Sequence, residues 1–275
     1  MIWSALLLLL GVLAYGAAGA RLHEGSQHAD GALKSRSWWI GTVLQAAGFG
    51  FTLLARRTLP LLIVQACSAA GLGVTAVLQH VSGARRLGRR EALALVALLV
   101  GLALLGTATI PGPAVAIRPA HLWLLAGCVA VTTAALAVRL PPVVLGMASG
   151  LGFSFGAIGA RLVIGDAAHP LWIFWQLPLN TWIAGGFTGL GIVLGQVHLT
   201  RGLARSEATP VLAPMYLMET VVPTIVGLAL LQELPRPHTE LLAALGLAIT
   251  VAGAIQLLHT RQGGRPTPAP SQVIR

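Results

Sequence analysis

Charge is what this sequence has least of. Only 9% of its 275 residues are Asp, Glu, Lys or Arg, against about 25% in a soluble domain. So few charges do not solvate a surface of that size, which excludes a soluble enzyme and a disordered chain. Acidic residues are scarcer still, with 8 Asp and Glu facing 18 Lys and Arg for a net charge of +10. Cysteine is nearly absent: Cys67 and Cys128 are the 2 present, both inside apolar runs, and they form no disulfide framework. The 33 Gly follow no strict triplet, which excludes a collagen-like repeat. No Walker A and no Rossmann glycine pattern of the right spacing occurs.

What is present is hydrocarbon. Apolar residues make up 56% of the chain and the mean hydropathy is +0.80. Runs of spanning length fall at 2–20, 37–55, 58–80, 92–110, 120–138, 142–164, 180–200, 208–231 and 239–259, each near the roughly 20 residues that cross a bilayer. The expected fold is therefore an all-α polytopic membrane bundle of nine transmembrane helices. The first run is expected to be a retained helix rather than a signal peptide, because no positive n-region precedes it and Arg21 follows it directly. Trp38, Trp39, Trp123, Trp172 and Trp175 sit near span ends, as an aromatic belt does. The tail at 261–275 is Pro- and Gly-rich and reads as disordered.

The basic residues stand in short clusters between the runs, as topogenic charges do, and not along one soluble face, so no nucleic-acid partner is expected. With the N-terminus outside, thirteen of the 18 Lys and Arg fall inside, Arg21, Arg85, Arg86, Arg201 and Arg205 among them. Five fall outside: Arg56, Arg57, Arg118, Arg161 and Arg236. The expected orientation in the cell membrane is N-out and C-in.

An internal repeat accompanies this topology. Ala17–Leu22 (AAGARL) near the end of helix one is echoed by Ala157–Leu162 (AIGARL) in helix six. Ala55-Arg56 after helix two is echoed by Ala204-Arg205 after helix seven, and Leu78-Gln79-His80 by Leu231-Gln232-Glu233. Helices one to four (residues 1–110) would then repeat as helices six to nine (142–260), with linking helix five (111–141) between them. An even block followed by one linking helix places the second copy upside down, and inverted repeats are a transporter architecture.

These residues carry a resemblance. The run from Ala204 through Ser206, Glu207, Pro210 and Pro214, then a spanning helix ending Leu230-Leu231-Gln232-Glu233, resembles the EamA-like part of the drug/metabolite transporter superfamily. The first half carries a degraded copy, with Gln65 at the Pro position and His80 at the Glu position. Pro214-Met215-Tyr216 is similar, more narrowly, to the magnesium-transporter branch. The resemblance implies a five-plus-five inverted arrangement, here lacking its first helix, and a secondary transporter moving a small metabolite, drug-like solute or cation by alternating access. A divalent-cation transporter or channel and a non-transporting membrane scaffold are the alternatives.

Glu219 stands out within that frame. It is the one acidic residue at the centre of an apolar run, where a carboxylate costs about 2.5–3.5 kcal/mol to insert and so marks a polar, bundle-facing environment. Pro214 and Pro223 flank it, and a proline lacks the N–H that the carbonyl four residues earlier would accept. A carboxyl beside freed carbonyls suits a proton or cation site in a broken helix, and Tyr216 lies one turn away on the same face. The expected site lies between helices three and eight, with Gln65, Asn180, Gln45 and Gln196 as polar candidates along a substrate path and Glu233 and His80 as helix-end or gating groups. No metal ligand set is assigned: His23, Glu24, His28 and Asp30 read mainly as a solvated loop, the histidines being five apart. Gly152-Phe153-Ser154-Phe155-Gly156 matches the hydrolase G-x-S-x-G pattern, but it lies in an apolar helix, where small-xxx-small packing is the better reading, as for Gly146/Gly150, Gly185/Gly189 and Gly191/Gly195. No enzymatic activity and no cofactor are expected. The expected partners are the bilayer and a small-molecule or ion substrate, with a homodimer open.

Overall fold

A computed structural model describes residues 2–55, 59, 64, 70–81, 88–108, 115–164, 175–231 and 235–259. Among them are nine α-helices and no β-strand. The helices are α1 (Ile2–Ser26), α2 (Arg36–Ala55), α3 (Gly71–Val81), α4 (Arg89–Ala108), α5 (Pro119–Ala134), α6 (Pro142–Ile164), α7 (Leu179–Leu203), α8 (Ala208–Leu230) and α9 (Glu240–His259). In hydrocarbon a backbone must satisfy its polar groups within its own segment, which the helix does. Seven of them, α1, α2 and α4 to α8, are long and apolar enough to cross a membrane, and α9 is apolar over Glu240–Gly253. The chain is an all-helical, multi-pass membrane protein. The expected third span, 58–80, is described over Gly71–Val81; Gln65, Cys67, Trp172, Glu233 and the tail lie outside the described residues.

Without a hydrophobic force between helices in lipid, association rests on close backbone packing and interhelical hydrogen bonds. The sequence supplies small residues where the helices touch. α6 lies against α8 through Gly146 and Gly150, where a methyl group would run into the carbonyls of Val211 and Met215. The opposite side of α6 meets α7 through Gly152, packed on Gly191 and Gly195, and Gly159, packed on Thr188. α1 uses Gly16 and Gly19 against Val74 and Thr75 of α3, and Gly11 against Thr52 of α2. α4 pairs with α9, Gly101 and Gly246 standing face to face. Of the expected small-residue pairs, Gly185/Gly189 is the exception: both point into open space. The spacing was right for packing, but that face of α7 has no neighbour.

α1 thus packs on α2 and α3, α6 on α7 and α8, and α4 on α9. One apolar cluster gathers at the Ser26 end of the bundle around Leu22, Trp38, Leu199, Leu203 and Leu212. A second gathers at the opposite end around Leu125, Ile158, Leu162, Ala184 and Val226. Trp39, Trp123 and Trp175 are exposed, as belt residues are. Trp38 is buried, because its indole N–H donates to the Thr200 hydroxyl at 3.0 Å.

Candidate functional site: a cavity at mid-height

Between the two apolar clusters lies a cavity of about 280 Å³, close to the lower end of the roughly 300–1,000 Å³ of small-molecule pockets. Its walls come from five helices: Tyr15 of α1, Thr42, Gln45 and Phe49 of α2, Phe153 of α6, Ile192 and Gln196 of α7, and Glu219 of α8. A narrow recess of about 20 Å³ continues from it past Tyr15, Gln45 and Glu219 to Tyr216, Leu199 and Leu212.

The depth of this cavity follows from counting turns. Tyr15, Gln45, Phe153, Ile192 and Glu219 stand nine to eleven residues from the Ser26, Arg36, Pro142, Leu203 and Ala208 ends of their helices. These five ends lie together, since Trp38 bonds Thr200 and Arg201 reaches the carbonyls of Leu136 and Val138 before α6. At 1.5 Å per residue the cavity is about 15 Å in, the midplane of a hydrocarbon core about 30 Å thick.

α8 delivers Glu219 there with a weakened backbone. Fourteen residues of α8 are buried, Glu219, Tyr216, Pro214 and Pro223 among them. Pro223 has no N–H for the carbonyl of Glu219, and the hydroxyls of Thr220 and Thr224 donate back to the carbonyls of Tyr216 and Thr220 at 2.9 and 2.6 Å. Such back-bonding bends helices. Pro214 packs against Gly146, so it shapes the contact with α6 and is not part of the cavity wall.

Polar groups around the cavity are held loosely. The Gln196 amide donates to the Thr42 hydroxyl at 3.4 Å, and the Tyr15 and Thr52 hydroxyls are 3.4 Å apart. The Gln45 carbonyl oxygen is buried and has no hydrogen-bond partner among the described residues. A buried acceptor left in that state costs about 1–3 kcal/mol, which a ligand donating a hydrogen bond would recover.

The structure brings together some of the residues singled out from the sequence and separates others. Glu219, Gln45 and Gln196 share the cavity, and Tyr216 lies in its recess. Asn180 is exposed at the start of α7, and His80 is exposed near the end of α3; neither lines it. The described cavity lies among α1, α2, α6, α7 and α8, whereas the expected location was between helices three and eight. Among the described residues of α3, Gly71 comes near, where a methyl group would lie 3.2 Å from the Tyr216 hydroxyl. Sequence reasoning missed Tyr15, Thr42, Phe49 and Phe153. Tyr15 had a signal, being one of only 2 Tyr in the chain; the others look like ordinary span residues until five helices meet.

Elsewhere, polar groups are used for packing. The Ser154 hydroxyl lies 2.6 Å from the Gly150 carbonyl and 3.0 Å from that of Met218, joining α6 to α8. His198 is fully buried and its Nε2 pairs with the Thr132 carbonyl at 2.8 Å, joining α7 to α5. Glu24 pairs with Arg21 at 3.1 Å and accepts from Ser37 at 2.8 Å, and His28 Nδ1 accepts the Asp30 N–H at 3.4 Å. Among the described residues no three His, Cys, Asp or Glu converge as metal ligands do.

Comparison of the chain with family models, with curated proteins and with solved structures finds no match.

Proposed function

We propose that this protein is a secondary transporter that carries a small solute or cation by alternating access, with the mid-height cavity as its substrate site. One observation carries the reading: the one mid-span carboxyl, Glu219, stands on a continuous helix with two internal prolines and lines a cavity shared with Gln45, Gln196 and Tyr15. Ionisable residues within membrane spans that face a cavity mark substrate and ion pathways.

The inverted repeat belongs to the same proposal. In its support, α1 packs on α2 and α3 as α6 packs on α7 and α8. The pairing of α4 with α9 maps onto itself. The two halves also use the same device, glycines of α1 and α6 against α3 and α8. Membership of the EamA-like drug/metabolite transporters, nine spans, and an N-out, C-in orientation rest on the sequence features and remain part of this reading. An ion gradient, or none, would drive transport, since the chain has no nucleotide-binding motif.

The test is flux in proteoliposomes, wild type beside Glu219→Gln, with and without a pH gradient, over a panel of solutes that includes Mg²⁺. Gradient-driven flux that the variant loses supports Glu219 as the coupling group. Flux with unchanged pH dependence in the variant removes Glu219 from the mechanism. Mg²⁺ uptake in preference to organic solutes favours the divalent-cation alternative, and no flux from folded protein favours the scaffold.

A further inference from the structure

Among the described residues, the cavity reaches the outer surface of the bundle at its side, between α2 and α7. At the Ser26 end the two helices are tied by Trp38 to Thr200 and, one turn on, by Thr42 to Gln196. Beyond that tie the lining includes residues of the outer surface: Ala46 of α2 is exposed, and Val193 of α7 is 59% exposed. Ala46 is ten residues in from Arg36, and Val193 ten in from Leu203, so the gap lies about 15 Å deep, at mid-bilayer. The outer faces of both helices are apolar, with Ile40 and Val43 on α2 and Leu190 and Val197 on α7 all exposed. No Asp, Glu, Lys or Arg occurs at 37–55 or 179–200. At that depth, in a bilayer crossed by these helices, the mouth falls at the level of the acyl chains.

The two ends of the space differ in chemistry. The mouth is hydrocarbon-like, with Phe49, Phe153 and Ile192 just within. The far side carries acceptors, the Glu219 carboxyl and the unpartnered Gln45 carbonyl, leading to the Tyr216 recess. A molecule that fits both has an apolar body and a hydrogen-bond-donating end. We infer that the cavity is loaded sideways from the lipid through the α2–α7 gap, and that its ligand is a membrane-partitioned amphiphile with a donor head directed at Gln45 and Glu219. This rests on the cavity being the substrate site proposed above, but it concerns the route and the ligand class.

Two measurements test it, neither of which requires turnover. Spin labels at Ala46→Cys and Val193→Cys, in a Cys67→Ala, Cys128→Ala background, report the medium at the mouth in liposomes. Both sites are on the surface, so the labels are accommodated, and Val43→Cys and Lys34→Cys serve as lipid and water references. Labels at 46 and 193 are expected to collide with molecular oxygen as the Val43→Cys label does, and to lose the access to an aqueous nickel chelate that the Lys34→Cys label has. Chelate access at 46 or 193 equal to that at 34 overturns the sideways route. The second measurement is binding of n-octylamine and ethylamine to the protein in nanodiscs. Octylamine is expected to bind and ethylamine not. Glu219→Gln and Gln45→Leu should each weaken octylamine binding, and Ala46→Trp should slow its association about tenfold, about 1.4 kcal/mol on the entry barrier. Equal binding of the two amines, or an association rate untouched by Ala46→Trp, overturns the inference and leaves the transporter reading intact. Octylamine binding as described, in a protein that carries no solute in the flux assay, leaves the inference standing and overturns transport instead.

Discussion

The α6–α8 seam and the α2–α7 seam border the same cavity and are built in opposite ways. Along α6 and α8 the contact is backbone on backbone: Gly146 and Gly150 leave no room for a methyl group beneath the carbonyls of Val211 and Met215, and the Ser154 hydroxyl reaches the Met218 carbonyl at 3.0 Å. Along α2 and α7 the contact is made by side chains, Trp38 to Thr200 at 3.0 Å and Gln196 to Thr42 at 3.4 Å, with the cavity mouth just beyond. Interhelical hydrogen bonds in membranes contribute about 0.6 kcal/mol on average, whereas a contact without free volume does not slide without losing its packing. The difference teaches which wall stays fixed and which one gives: the alternating access proposed above is expected to part α2 from α7 and leave α6 on α8.

The strongest way to break that comparison is Gly150→Leu. Its side chain would enter the space held by Met215 and Met218, and overpacking of this kind costs about 1–3 kcal/mol or more. The expected outcome is a clear fall in thermal midpoint in detergent, or no folded protein. Gly185→Leu, on the face of α7 where nothing lies within 4 Å, should leave the midpoint unchanged. If the two variants were equally destabilised, the α6–α8 seam would not be the rigid wall.

Next in size is Glu219→Gln, which keeps the shape of the side chain and removes its charge. Coupled flux should fall about tenfold or more, about 1.4 kcal/mol or more on the transport barrier, with little change in thermal midpoint. Pro223→Ala restores an N–H to the carbonyl of Glu219 and removes a helix-interior proline, a change of up to about 3 kcal/mol in helix propensity. Stability is expected to rise and turnover to fall, because the Glu219 carbonyl gains an intrahelical partner and the helix beside the cavity stiffens; circular dichroism melts beside initial flux rates check both.

The smallest effects belong to the side-chain seam. Thr200→Val or Gln196→Leu removes one hydrogen bond, so each should shift stability by only about 0.6 kcal/mol. Each should nevertheless increase the access of a water-soluble thiol reagent to Gln45→Cys from the Ser26 end, in a Cys67→Ala, Cys128→Ala background. A large loss of stability with no gain in labelling would make the α2–α7 tie structural.

The residues of the site were legible in the sequence to very different degrees. Glu219 was, because a carboxyl in the middle of an apolar run carries a cost that one dimension displays. Gln45 and Gln196 were visible as polar residues within spans, but nothing distinguished them from Asn180, which the structure leaves exposed at the start of α7. Glycine spacing foretold the α6 contacts through Gly146/Gly150 and Gly191/Gly195 and misread Gly185/Gly189, since periodicity marks a smooth face and does not say that a neighbour covers it. Trp38 was read as a belt residue from its place at a span end; it is buried because Thr200, 162 residues later, accepts its indole N–H.

Hydropathy and charge are sums along the chain, so the sequence by itself determined that this is a helical, multi-pass membrane protein with one acidic group at mid-span. Which residues share a cavity is a matter of how helices rotate and pack. Tyr15, Gln45, Phe153, Ile192 and Glu219 come from five helices and meet only because small residues let those helices approach at the same depth. That convergence, and the sideways gap between α2 and α7, were decided by tertiary packing, because the face a helix turns inward depends on the neighbours that cover it.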